Sequence, residues 1–72
     1  MSKLSLYGYA INETKEVVES FIDDHILFGE NKLEIVTGTN PNVKRIVTEI
    51  VENYGLHYKE HFYNKQVLII SI

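Results

Sequence analysis

Between Ile35 and Val47 the chain reads IVTGTNPNVKRIV. A β-branched run, Ile35-Val36-Thr37, stops at Gly38, and an amphipathic run begins at Val43 with Lys44 and Arg45 close behind. β-Branched side chains suit a pleated strand, and glycine lets the backbone leave it through geometry that other residues avoid. Asn40 is a good N-cap, and Pro41 fits the first helical position because its missing N–H would have had no partner there. The stretch is a strand that turns sharply into a helix, which is the half-unit of an α/β fold.

Working downstream, Val43, Ile46, Val47, Ile50, Val51 and Tyr54 recur at helical spacing. Lys44, Arg45, Thr48, Glu49, Glu52 and Asn53 fall on the other side, and Gly55 ends the helix. Leu56 to Tyr63 then alternates His57, Lys59 and His61 against Tyr58, Glu60 and Phe62, the pattern of a strand. Asn64-Lys65 is a short turn, and Gln66 to Ile72 is apolar on both faces, as a strand inside a sheet should be.

Upstream, Leu4 to Tyr7 reads as a short strand ending at Gly8, with Leu4 and Leu6 on one face. A helix follows, with Asn12 as the expected N-cap, Glu13 and Glu16 complementing the dipole, and Gly29 as the stop. Its apolar stripe is Val18, Phe21, Ile22 and His25, with Val17 and Ile26 beside it. Leu33 to Thr37 is the second strand. The order is βαβαββ, and right-handed crossovers make this an α/β two-layer sandwich: a four-stranded mixed sheet with two helices.

The 72 residues form one domain, residues 1–72, able to bury roughly 60% of the surface of the unfolded chain. With no cysteine there is no disulfide, no thiolate nucleophile and no sulfur-ligated zinc. The start, MSKLSLYG, carries no apolar signal segment, and the longest apolar run, VLII, is far short of a bilayer span. A soluble cytoplasmic or nuclear protein is expected, monomeric and without membrane contact. Net charge is −3, which argues against a surface that attracts polyanions everywhere, so any nucleic-acid contact must be a local patch.

The corner between Gly38 and Pro41 is where such a patch is expected. Backbone amides at a helix start favour an anion, and Lys44 or Arg45 can reach a phosphate from the first turn. Tyr7 and Tyr9 flank Gly8 at the same sheet edge and can stack on unpaired bases, whereas duplexed bases are closed to them. The candidate nucleic-acid site is Tyr7, Gly8, Tyr9, Thr37, Gly38, Thr39, Asn40, Lys44 and Arg45. The bland alternatives are a purely structural corner and tyrosines packed against a helix.

Other constellations carry less. His25 lies on an apolar stripe, where a hydrogen-bonded boundary histidine is the commoner reading. His57 and His61 share a strand face but stand about 13 Å apart. Asp23-Asp24-His25 splays around a helix and reads as a solvated face. No metal, cofactor or catalytic residue is assigned.

Layout and motifs together resemble the Smr domain, the small domain related to the C-terminus of a MutS-type mismatch-repair protein. The likeness runs from Leu4 to Ile72. The family opens Leu-Asp-Leu-His-Gly where this chain has Leu4-Ser5-Leu6-Tyr7-Gly8. Its first helix ends in a Phe-Leu-Asp-Asp-like motif, similar to Phe21-Ile22-Asp23-Asp24. Its His-Gly-x-Gly or Thr-Gly-x-Gly loop corresponds to Thr37-Gly38-Thr39-Asn40. The resemblance implies nucleic-acid binding and, in many members, cleavage of RNA or nicking of DNA. Here Ser5 and Tyr7 replace the motif's aspartate and histidine, and Asn40 its second glycine, so the resemblance implies weak, salt-sensitive binding with endonuclease activity weakened or lost. Two rival expectations stand beside it. One is an active metal-independent RNA endonuclease, in which Tyr7, Thr37 and Asn40 position the backbone for attack by a 2′-hydroxyl. The other is a protein-interaction module, alone or within a larger parent chain, that docks through the acidic first helix.

Overall fold

The structure, a computed structural model, describes residues 1–72. Its elements are β1 (Ser2–Ser5), α1 (Ile11–Leu27), β2 (Lys32–Val36), α2 (Pro41–Asn53), β3 (His57–Glu60) and β4 (Val67–Ser71). They form a four-stranded sheet in the order β1-β2-β4-β3. β1 runs parallel to β2, while β4 is antiparallel to both β2 and β3. The fold is the small mixed α/β sandwich expected from the sequence, with β4 inside the sheet beside β2.

Both crossovers step across the sheet in the same direction, β1 to β2 and β2 to β3, so right-handed connections put both helices on one face. The core follows from this. Leu33 and Ile35 of β2, Leu68 and Ile70 of β4, and Leu6 meet Val18 and Ile22 of α1 and Val47, Ile50 and Val51 of α2. Register assigns the other face by alternation: Lys3, Glu34, Ile69 and Lys59 form one row across all four strands, away from the helices. No helix is long and apolar enough to cross a membrane.

β2 and β4 each fall within one residue of their expected bounds, and three boundaries differ by more, each for a local reason. β1 is Ser2–Ser5 rather than Leu4–Tyr7, because Leu6 makes one last bond to the Val36 carbonyl and the chain then turns, Tyr9 N–H donating to Leu6 O at 3.3 Å. α1 is capped two residues before Asn12, at Ala10. Alanine has no capping oxygen, but Glu13 Oε1 accepts from the Ala10 amide at 2.8 Å and supplies half of a capping box. β3 ends at Glu60, so His61, Phe62 and Tyr63 belong to the hairpin tip and not to the strand. The α1 stripe also shifts. Thr14 is buried with Val18 and Ile22, its hydroxyl satisfied by Ala10 O, while Ile26 faces solvent. α2 starts as expected: Asn40 caps it by accepting from Asn42 N–H at 2.9 Å, with Pro41 as the first helical residue.

The two helices are tied at their ends by a hydrogen bond of 2.7 Å from the Tyr54 hydroxyl to Asp23 Oδ1. That bond, burial and the nearby Asp23 and Glu19 charges push the Tyr54 phenol up to about 12. An unfolded tyrosine titrates near 10. Between those values the unfolded chain has lost a proton that the folded chain keeps, so this contribution is complete below pH 10 and disappears as pH rises toward 12. Tyr54→Phe should cost about 1 kcal/mol at neutral pH. Urea titrations of both proteins should show the gap narrowing between pH 9 and 12; a gap independent of pH in that range would contradict the assignment.

Candidate nucleic-acid interface

β1, β2 and β3 all point the same way, so their C-terminal ends open on one edge of the sheet, together with the start of β4. Tyr7, Gly8, Tyr9, Thr37, Gly38, Thr39, Asn40 and the first turn of α2 lie at this edge, as the βα layout requires. Tyr7 is 64% and Tyr9 47% exposed. Tyr7 is nevertheless fixed in place, because its hydroxyl donates to Gln66 Oε1 at 2.7 Å. Its ring also lies against Gly38, where an added Cβ would stand 3.3 Å from Tyr7 Cε1. Gly38 has φ +74°, so this position needs glycine both for its backbone and for the ring above it.

The glycine corner is closed from inside by the β3–β4 hairpin. The Thr37 and Gly38 amides both donate to Gln66 O, at 2.8 and 3.3 Å, and the Thr37 hydroxyl reaches the same oxygen and Gly38 O, both at 3.2 Å. Asn40 takes the Asn42 amide, and Pro41 has none. Of the amides expected to face an anion, those of Thr39 and Asn40 have no partner in the chain. Lys44 is tied down as well: Nζ donates to Lys65 O at 2.9 Å and lies 3.7 Å from Glu60 Oε2. Arg45 is exposed and makes no ion pair. The corner is thus a bracing joint between the β2–α2 turn and the hairpin, with Gln66 contributing both its backbone and its side chain.

That joint raises a feature which sequence alternation concealed. Phe62 and Tyr63 form the hairpin tip, each 88% exposed, their rings edge to face with centroids 4.7 Å apart. The Tyr63 amide donates to His61 Nδ1 at 3.1 Å, and the Gln66 amide to Asn64 Oδ1 at 2.9 Å, so side chains hold the tip's backbone. The one signal in the sequence was Asn64, a turn former, placed directly after two aromatic residues. Four exposed aromatic rings therefore rise from one end of the sheet. The surface hollow of the molecule, about 340 Å³ and bordered by Met1, Glu30, Asn31 and Lys32, lies at the other end.

The histidines stand apart from this edge's aromatic platform or serve it structurally. His25 Nδ1 is 2.8 Å from Phe21 O, and its ring packs on Phe21 with centroids 4.4 Å apart. His57 is in β3 and His61 in the hairpin, outside the strand that would have put them on one face. No three of the histidine, aspartate and glutamate side chains assemble into a group that could hold a metal ion. Comparisons with family models, with curated proteins and with solved structures find no match to this chain.

Proposed function

We propose that the chain is a divergent Smr-like domain that binds single-stranded nucleic acid, RNA or DNA, at the C-terminal edge of its sheet. The observation that carries this reading is the exposure of Tyr7, Tyr9, Phe62 and Tyr63 at that one edge. Such rings are costly to leave in water, and a base offers each of them a flat partner of any sequence. With the Thr37 and Gly38 amides and Lys44 occupied internally, stacking contributes more than phosphate capture, and binding is modest and salt-sensitive. Nuclease activity is weakened or absent, since Ser5 and Tyr7 stand where the family motif has aspartate and histidine.

Labelled single-stranded RNA, single-stranded DNA and duplex should be titrated by fluorescence anisotropy at low and moderate salt, with the products run on a gel. Single strands should bind more tightly than duplex. Replacing Phe62 and Tyr63 by alanine, at fully exposed positions, should weaken binding by about 2 kcal/mol, or roughly 30-fold. The reading fails if no single strand binds at low salt.

A second reading has an observation of its own. α1 presents Glu13, Glu16, Asp23 and Asp24 at exposed positions and ends in Leu27 and Phe28, 84% and 79% exposed. An acidic surface beside an apolar one suits a basic protein partner, which charge reversal at Glu16 and Glu19 would release.

A further inference from the structure

The acids of this protein are sorted by layer, whereas its cations are divided between the helices, with Lys15, Lys44 and Arg45, and the strands, with Lys3, Lys32 and Lys59. Seven of its ten acids, Glu13, Glu16, Glu19, Asp23, Asp24, Glu49 and Glu52, lie on the two helices. The sheet face turned away from the helices has the opposite sign. Lys3 of β1, Lys32 of β2 and Lys59 of β3 stand on it, with His57 beside them and Glu34 as its one acid. All three lysines are exposed and none is in an ion pair, since the protein's single salt bridge joins Lys44 to Glu60. Between them, Val67 and Ile69 belong to no part of the helix-side core, yet are only 8% and 7% exposed. In register, Ile69 is flanked by Glu34 and Lys59, whose aliphatic stems are placed to cover it while their charged ends remain in water.

The geometry points to this open face as the track for a nucleic-acid backbone, continuing the strand whose bases stack at the aromatic edge; the inference rests on that reading. Lys3 and Lys59 stand in one row on the two outermost strands, about 14 Å apart across three strand spacings. They bracket a low apolar floor, and the row of Ser5, Val36 and Val67 leads from it to the edge that carries Tyr7 and the hairpin. Charge selects the occupant. A polyanion is drawn to this face and repelled by the helical one, so a strand crosses the molecule on one side only. Long flexible cations on an open sheet face suit a single strand, whose phosphates can meet the lysines while its bases reach the aromatic edge.

The test uses the full chain and a short oligothymidylate or oligouridylate. Lys3→Gln with Lys59→Gln removes two exposed cations without touching the core, and should weaken binding tenfold or more at low salt. It should also make the plot of log affinity against log salt shallower by about 1.4. Glu34→Gln should strengthen binding several-fold, which a role confined to structure would not produce. Amide chemical shifts should move in β1, β3 and β4 during the titration and stay still along the outer face of α1. If the lysine variant binds like the original while alanine at Phe62 and Tyr63 still weakens binding, the track is wrong and the aromatic edge stands. If no oligonucleotide binds at all, both fall. If polyglutamate competes fully at equal charge, the occupant is an acidic peptide and the nucleic-acid assignment is overturned.

Discussion

Ile70→Ala should remove about 3 to 4 kcal/mol of stability, whereas the same truncation at the adjacent Ile69 should remove about 1. Both side chains are nearly inaccessible, at 0% and 7%, so burial alone would rank them together. Their surroundings differ. Ile70 belongs to the core cluster formed with Val18, Ile22, Val47 and Val51, and those rigid neighbours cannot collapse into the space that a truncated side chain leaves. Ile69 faces the open side, where Glu34 and Lys59 flank it in register and can settle over an alanine. A domain of this length has a total stability on the order of 4 to 10 kcal/mol, so the first variant approaches unfolding and the second does not. Urea midpoints at constant m-value would measure both; equal losses would mean that something rigid covers the open face.

Gly38→Ala should cost about 2 to 3 kcal/mol and weaken single-strand binding together with stability, while Gly8→Ala should cost only about 1. Both glycines have positive φ, +74° and +89°, so both pay the backbone penalty. At Gly8 an added Cβ meets nothing within 4 Å. At Gly38 it would press on the Tyr7 ring at 3.3 Å, and that ring is held by its bond to Gln66. Either Tyr7 gives way and its hydroxyl leaves Gln66, or the corner shifts and the Thr37 and Gly38 amides move off Gln66 O. Removing the obstacle should recover part of the loss: Tyr7→Ala and Gly38→Ala together should cost at least 0.5 kcal/mol less than the sum of the two. Strict additivity in thermal melts would show that ring and corner are independent.

The element order, both helices and the interior position of β4 were legible because each is written in local pattern: a helical stripe, an Asn-Pro start, a run apolar on both faces. The joint at Gln66 was not. It sits 29 residues from Thr37 and nothing near either residue announces the other, since a backbone carbonyl bonds regardless of the side chain it carries. A separation of 21 residues likewise hid the fate of Lys44, which sequence offered as a phosphate ligand and which the fold ties to the carbonyl of Lys65. Phe62 and Tyr63 were misplaced for the opposite reason. Aromatic residues continuing an alternation extend a strand on paper, while the chain uses them at the tip of a hairpin that Asn64 turns. Ala10 as a helix start was beyond reach because its cap is borrowed from Glu13, one turn ahead.

The strand order β1-β2-β4-β3 leaves a gap in time as well as in space. β2 and β3 never touch as ladder partners, and the strand that joins them is the last of the six elements to be synthesised. A nascent chain still lacking residues 66–71 has two helices and three strands but no centre on which to assemble them. It gains Leu68 and Ile70 for its core, Gln66 for its corner and both ladders of β4 within a handful of codons. Folding of this domain should therefore wait for β4 to clear the ribosome and then proceed in a single step, leaving no stable half-built body beforehand.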